Sequence, residues 1–487
     1  MERWVAALTV IAVYLGFALA LGLLAGYRRD LFSISEFAVA HRNMGVFLMW
    51  FMMGGTIFSA FAFMGGPGWA FSRGAASFYI LGYCALGLLP WYVIGPRASR
   101  IGERHSLISL GQFLAKRYES RALPVLVGLV ATFAFVQYIT LQIKGTAYIF
   151  NVLTDGHISY NAAACIAYGI VIVYVATGGV RAAAWSDVLQ SLLMLIVAWG
   201  VGFYLVYTLQ GGPLAMFQSI ATKMPGFLQI GVQGSKMSPA AFSTSTLVSV
   251  LGFIMWPHLF TKSFTTTPRR IKLTVMAYPV FAIFMVPVLY MGFAAIGKVD
   301  PKLLKNADEV VPYVITHLLG VSGWFYGLVG AGALAAAMSS ADAITHGAAV
   351  ELVQDVYKVL KPDTSDRNTV ILMRVAVLVV GAISLYVALY GAAGLIQLLL
   401  GAYGSIVQFL PAVYGALFWK RGTAPGAVAG LVAGVAVNVY YQLIVGKGPL
   451  DIHPGIWGLM VNLVIFVVLS LLTQPPSKEV AEDYINA

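Results

Sequence analysis

The sequence predicts an all-α polytopic membrane protein, and three observations predict it. About a dozen apolar blocks of roughly 20 residues follow one another, the length a helix needs to cross the hydrocarbon core of a bilayer. Hydrophobic residues fill 60% of the 487 positions and charged residues only 10%, with a mean hydropathy of +0.83. That is more apolar surface than a water-soluble fold hides. No polar stretch between Trp4 and Leu472 is long enough for a separate domain, so a single integral domain is expected over residues 1–487.

The blocks resolve into about thirteen spans. The first, 4–26, is too long for a signal-peptide core and is followed by Arg28 and Arg29, so it reads as a retained helix. The second, 44–70, is interrupted by Gly54-Gly55 and by Gly65-Gly66-Pro67-Gly68; the third is 76–95. The fourth, 123–152, carries two polar stripes, and 160–177 and 184–209 follow it. The seventh, 242–261, is interrupted at Gly252 and at Trp256-Pro257-His258. After 273–297 comes the Ala-rich span 320–350 with Ser339 and Ser340, then 370–389, 394–418, 424–445 and 455–473.

Thirteen spans put the termini on opposite sides, and the loops divide unevenly in Lys and Arg. One set holds Arg28, Arg29, Arg42, Arg97, Arg100, Arg104, Lys116, Arg117, Arg121, Arg181, Lys262, Arg269, Arg270, Lys272, Lys358, Lys361, Arg367, Lys420, Arg421 and Lys478, against eight in the other. The positive-inside tendency makes the rich loops cytoplasmic, with the N-terminus outside and the C-terminus inside a plasma (inner) membrane. The net charge of +11 then reports orientation and contact with the lipid bilayer, and no nucleic-acid partner is expected. Cys84 and Cys165 lie within apolar blocks and suggest neither a disulfide framework nor a metal site.

Glycine and proline loosen helices, and irregular backbone at membrane depth is tolerated only where it lines a cavity or is buried in protein. Interruptions at corresponding places in two halves point to a transporter with inverted repeats, although glycine in membrane helices also serves ordinary packing. The second to sixth spans pair with the seventh to eleventh, and five being odd, the halves lie inverted. The expected division is an extra N-terminal helix and loop (1–43), a first repeat (44–209), a second repeat (242–418) and two additional C-terminal helices (424–473).

The stretch Thr177-Gly178-Gly179-Val180-Arg181-Ala182-Ala183-Ala184-Trp185-Ser186-Asp187-Val188-Leu189-Gln190 resembles the signature of the sodium/solute symporter family, which includes bacterial proline and pantothenate symporters and animal sodium/glucose cotransporters. Leu410-Pro411-Ala412-Val413-Tyr414-Gly415-Ala416-Leu417-Phe418-Trp419-Lys420-Arg421-Gly422-Thr423-Ala424-Pro425-Gly426-Ala427 resembles it too, and the similarity runs across nearly all spans. The resemblance implies a LeuT-type core of two inverted five-helix repeats and sodium-coupled symport by alternating access. Gly65-Gly66-Pro67-Gly68, Gln142 followed by Gly145, and Trp256-Pro257-His258-Leu259 are most similar to the bacterial monocarboxylate and pantothenate symporters. Proline symporters carry an aspartate where this chain has Ile57, which puts proline transport in doubt.

Sodium is a hard cation that needs several oxygen ligands. The family's principal site, carried over residue by residue, implies the hydroxyls of Ser339 and Ser340 with the carbonyls of Gly55, Phe58 and Ala336. Without the resemblance, such serines read as bonding back to their own helix or joining helices. Asp187, near the cytoplasmic end of its span, is a functional residue by default at that depth, and family members use it near the inner sodium exit or in an additional sodium site. The plainer alternative is a pair with Arg181 or a helix cap. Asp342, three residues after Ser339, either approaches the same site or marks the polar face of its helix.

On the fourth span Gln137, Thr140, Lys144 and Tyr148 fall on one stripe, while Tyr138, Gln142 and Gly145 form another about 100° round, and only one stripe need face a substrate. If Lys144 faces the cavity, an anionic substrate follows; otherwise its long stem reaches the outer head groups. The other expected substrate contacts are Thr56 and Ser59 by the first interruption, Trp256 and His258 by the second, and Tyr403 and Gln408 on the tenth core helix, with packing as the alternative for each.

The resulting expectation is a secondary transporter, not an enzyme, that imports a small organic solute with sodium as coupling ion, a monocarboxylate or similar organic anion leading and a monomer as the assembly. The alternatives are pantothenate, an amino acid or a sugar as cargo, or a proton-coupled or uncoupled carrier. A sensor or membrane enzyme on the same fold is the rival class; Glu479 to Ala487 reads as a short tail, and no nucleophile with a nearby base is apparent.

Overall fold

A computed structural model describes residues 2–26, 32–391 and 394–487. Arg28 and Arg29, which enter the orientation argument, lie outside the described residues. The chain is all-helical, with no strand among the described residues. Among the described residues ten helices are long and apolar enough to cross a membrane, and twelve spans result when two bent helix pairs are each counted as one. Thirteen was an approximate count. The expected third span comes as two short pieces, Tyr79–Leu86 and Trp91–Arg104, separated by turns that include Pro90.

Local sequence sets the ends. Ser159, Ser238, Ser322 and Ser365 each accept a hydrogen bond from the backbone three residues on, starting helices at Tyr160, Pro239, Gly323 and Asp366. The expected spans 160–177 and 184–209 form one kinked helix, Tyr160–Gln210, whose non-helical residue is Gly179 at φ 58°. A Cβ there would stand 2.7 Å from the Phe37 carbonyl oxygen, so both the conformation and the close approach call for glycine.

The helix Gly323–Glu351 is the centre of the molecule. Every residue from Val329 to Glu351 is buried, and 94% of its most apolar window lies inside the protein, against 22% for Ala424–Val445 at the periphery. Its alanines and glycines let Ala122–Leu153, Tyr160–Gln210 and the N-terminal helix Arg3–Gly26 pack directly on it. The last two apolar helices, Ala424–Val439 and Pro454–Leu472, pack mainly on each other.

Both expected interruptions are present, as bends of 49° between Val46–Ile57 and the segment from Phe61, and of 52° between Met255 and Pro257. The first falls at Phe58 to Ala60, between the two glycine clusters and not within either. Gly54 and Gly55 remain helical because their role is packing: a Cβ would stand 2.4 Å from the Phe281 ring at Gly54 and 2.5 Å from Ser191 Oγ at Gly55.

Candidate functional site

The first break releases backbone groups, and side chains from two other helices take them up. In an unbroken helix the Gly55 and Thr56 carbonyls would accept from the N–H groups of Ser59 and Ala60. Here the Ala60 N–H donates to Gln142 Oε1 at 2.9 Å. The single Ser339 hydroxyl hydrogen is shared between the Gly55 carbonyl at 2.9 Å and the Ala336 carbonyl at 3.0 Å, while Ser340 Oγ donates to the Thr56 carbonyl at 2.7 Å. Ser339 thus bonds both back to its own helix and across to the break, and Ser340 bonds across. Gly55, Ala336, Ser339 and Ser340, expected together, are brought together. Phe58 closes the first half-helix at ψ 89°, fully buried and stacked on Phe281 with ring centroids 5.2 Å apart.

Asp187 is fully buried beside this cluster, with Oδ1 3.4 Å from where a Cβ on Gly55 would stand. Neither of its carboxylate oxygens has a hydrogen-bond partner. Arg181 is not its counter-ion: that guanidinium pairs with Glu36 at 2.6 Å. The charges acting on Asp187 are those of Asp342 and Lys262. Sequence reasoning missed Lys262 by counting it among the cytoplasmic loop cations. The structure corrects this: Lys262 is 4% exposed, with Nζ donating to the Met52 carbonyl at 2.8 Å and to Thr56 Oγ1 at 2.7 Å. Its signal was available in the five residues separating it from Trp256, too few to carry a residue out of a broken span into a loop.

The second break supplies aromatic walls. Trp256 lies against Tyr138 with ring centroids 5.1 Å apart and against Tyr403 at 5.6 Å; Tyr403 in turn meets Tyr83 at 5.9 Å. The Tyr138 hydroxyl interacts with the Ser59 and Ser340 side chains, which joins the aromatic group to the serine cluster. Gln142, one turn beyond Tyr138, holds the first break with its oxygen and leaves Nε2 buried without an acceptor. Trp256 Nε1 is also buried without an acceptor; the Tyr403 hydroxyl interacts with the indole without completing a hydrogen bond of good geometry.

The two stripes of Ala122–Leu153 therefore divide. Tyr138, Gln142 and Gly145 face the breaks, Gly145 so closely that a Cβ would stand 2.4 Å from that of Ala60. Thr140 and Lys144 face Asp366–Tyr390 and the residue after it: Thr140 Oγ1 donates to the Ser384 carbonyl at 3.2 Å and Lys144 Nζ to the Gly391 carbonyl at 2.5 Å. Thr56 spends its hydroxyl on the Met52 carbonyl, to which it donates, and on Lys262, from which it accepts. Gln408 donates to the carbonyls of Gly404, on its own span, and of Gly455 and accepts from Asn462, tying its span to Pro454–Leu472.

His258 lines, with Lys262, His346 and Glu351, a cleft of about 20 Å³ beside the serine helix. That is room for on the order of one water molecule and not for an organic solute.

The arrangement offers released carbonyls and hydroxyls to a hard cation and aromatic walls with spare donors to a solute, side by side. The model of the sodium:solute symporter family matches residues 37–434. An uncharacterized symporter, YhjB, of Bacillus subtilis is 32% identical over 98% of this chain and 99% of its own length. A monocarboxylate transport permease of Rhizobium johnstonii is 27% identical over 90% of each chain, and the sodium/pantothenate symporter of Escherichia coli is 28% identical over 89% of this chain and 90% of its own. Among solved structures, a Na+-coupled sialic acid symporter in a substrate-bound outward-open state superposes with a TM-score of 0.79 at 18% identity, covering 97% of this chain and 98% of that one. The fold is of the LeuT type, and the chain belongs to the sodium:solute symporter family, a family of membrane transporters that use sodium as the coupling ion.

Proposed function

We propose that the chain imports a small organic anion together with sodium by alternating access, a monocarboxylate being the leading cargo. The observation that carries this reading is the buried Gln142 Nε2, a donor without an acceptor beside the Ser339 and Ser340 cluster, with Trp256 Nε1 nearby meeting the Tyr403 hydroxyl only at poor geometry. A buried donor left unpaired costs about 1–3 kcal/mol, so a ligand rich in acceptors, such as a carboxylate, gains what the empty site loses. The name of the Rhizobium relative points the same way, and pantothenate, also a carboxylate, satisfies the same donors. Buried Ile57 gives a cationic or zwitterionic solute no carboxylate partner there, which disfavours proline.

Sodium enters this reading on the oxygens of Gly55, Phe58, Ala336, Ser339 and Ser340, with Asp187 alongside. The serine hydroxyls, now donating to carbonyls, turn their protons away when a cation takes that place. The two breaks open corresponding repeats, 44–209 and 242–418, and the His258 cleft is the route toward the cytoplasm. Orientation follows the basic loops, with the N-terminus outside; removing Lys262 and the buried Arg117 from the loop count leaves the inequality unchanged. Sodium and solute then tighten each other's binding, since coupling between sites is reciprocal.

The experiment is a thermal-shift screen of the purified protein against monocarboxylates, pantothenate, amino acids and sugars, each in sodium and in potassium. A ligand of the folded state raises apparent stability by mass action. A shift with a carboxylate that requires sodium is expected; the same shift in potassium would move proton-coupled or uncoupled carriage to the front.

A further inference from the structure

The helix Lys478–Ile485 has eight residues, and isolated helices shorter than about 12–15 residues are marginal in water. It is held by docking. Ala481 and Tyr484, on one face, are buried; the Tyr484 hydroxyl donates to the Phe113 carbonyl at 2.7 Å, and the two rings lie with centroids 5.0 Å apart. Polar ties surround that anchor. Asp483 pairs with Arg104 and, at 2.6 Å, with His105, and Glu482 pairs with Lys420 at 3.1 Å. Glu119 accepts from the Ser477 N–H at 3.1 Å, and Arg100 donates to the main-chain oxygen of Ala487 at 2.8 Å. One short helix thereby joins the end of Trp91–Arg104, the helix Leu110–Tyr118 and the residues that follow Leu410–Phe418.

The helix Leu110–Tyr118, on which it docks, is itself a brace. Its start is held by the continuation of the serine helix, where Asp355 accepts from the Ser109 hydroxyl and from the Gly111 N–H at 3.1 Å. Its end is held by Leu410–Phe418 and the residue after it, Tyr118 donating to the Ala412 carbonyl at 2.7 Å and Arg117 to those of Ala416 and Trp419. Between these ends, Phe113 meets Phe260 with ring centroids 5.1 Å apart, and Phe260 lies between His258 and Lys262 on the second broken span. Ile108, just ahead of the brace, lines the same cleft as His258 and Lys262. Phe113 therefore connects the docked helix to the wall of that cleft.

We infer that Lys478–Ile485 is a latch: docked, it fixes the brace and keeps the His258 cleft narrow; released, it frees the brace and lets the cleft widen. The inference rests on the alternating access proposed above, in which that cleft opens and closes, and adds what holds it closed. A helix that folds only on its docking surface has two discrete states, which is what a switch requires. Gln474-Pro475-Pro476 links it to Pro454–Leu472, and the prolines stop that helix from running on, so the latch can leave without disturbing the span before it.

The test measures access to the cleft in the absence of sodium and solute. Cys84 and Cys165 are replaced by alanine, Val350→Cys places a thiol in the cleft wall, and its alkylation by N-ethylmaleimide is followed on the purified full-length chain in potassium buffer. In this latched parent the thiol should react slowly. Tyr484→Ala should make it react at least about fivefold faster, the shift expected when a buried hydrogen bond and its ring contact are lost. Asp483→Arg, which sets like charge against Arg104, should also speed the reaction, and adding Arg104→Asp should restore the slow rate. A parent-like rate in either folded variant would overturn the latch, as would a fast rate in Asp483→Arg that Arg104→Asp does not slow. Should Tyr484→Ala not fold, the charge exchange decides alone. Failure here leaves the symport reading standing, because the assay holds neither sodium nor solute, and a failed thermal-shift screen would not alter this rate.

Discussion

The two broken spans solve the same backbone problem with different chemistry. At the first, the released Gly55 and Thr56 carbonyls are taken up by two serine hydroxyls, and the Ala60 N–H by Gln142, so every partner is polar. At the second, Trp256 precedes Pro257, which has no N–H to satisfy, and the neighbours are rings: Tyr138, Tyr403, Phe135 and His258. One break concentrates oxygen and the other apolar surface with a single indole donor. A transporter of a cation and an organic solute needs both, in contact, and the long helix Ala122–Leu153 supplies the contact through Tyr138 and Gln142.

The largest expected effect breaks the oxygen side. Ser339→Ala and Ser340→Ala should each raise the sodium concentration for half-maximal solute-induced stabilisation at least about tenfold, since a bond to a charged group is worth about 1.5–3 kcal/mol. An unchanged sodium requirement in both variants would remove the ion from the first break. On the aromatic side, Trp256→Phe keeps the stacking and deletes the indole donor; solute affinity should fall about tenfold while 22Na+ binding without solute holds. Equal losses of both would mean that the division between the breaks is not real.

Gly145→Ala probes the contact between them. Its Cβ would overlap that of Ala60, and overpacking of this kind costs about 1–3 kcal/mol. The melting temperature in detergent should fall, with sodium and solute affinities declining together. An unchanged melting temperature would show that the first break yields freely there.

The smallest effect concerns the Gly68 end of the first broken span. Asp308, in the loop after Ala295, packs on Gly68 and accepts from the Leu395 N–H at 3.3 Å; burial pushes its carboxyl up to about 6. An acid raised from its ordinary value of about 4 binds its proton more tightly in the folded chain, so stability falls as pH rises from about 4 to 6 and levels off above. Asp308→Asn should flatten that part of the stability–pH profile. A slope that persists in the variant would assign it to another group.

Some of the site was legible because its residues are chemically out of place. Ser339 and Ser340 in an alanine-rich span, Asp187 inside a membrane, and Trp256-Pro257 in the middle of a span announce themselves in one dimension. The two polar stripes of the fourth span were equally visible, but which one faces the breaks depends on how the helix is rotated against Asp366–Tyr390, and no residue within the helix fixes that. Gln408 looked like a substrate contact and instead ties helices together, since a buried amide bonds whatever the packing brings to it. Lys262 was misread for a related reason: hydropathy places a lysine near a span's end in a loop, whereas its four-carbon stem lets it turn back into the protein once the broken helix sets its direction.

The sequence by itself determined that the chain is a bundle of apolar helices, that two of them break, and which serines and carboxylate lie within apolar spans. Those properties follow from composition and local backbone preference along the chain. Only the tertiary structure decided that Gln142 and not Lys144 turns toward the breaks, that Arg181 belongs to Glu36, and that Lys262 bonds back to Thr56. Each of those pairs residues far apart in sequence, and which group a buried polar atom meets is fixed by helix rotation and depth, quantities set when many helices pack together.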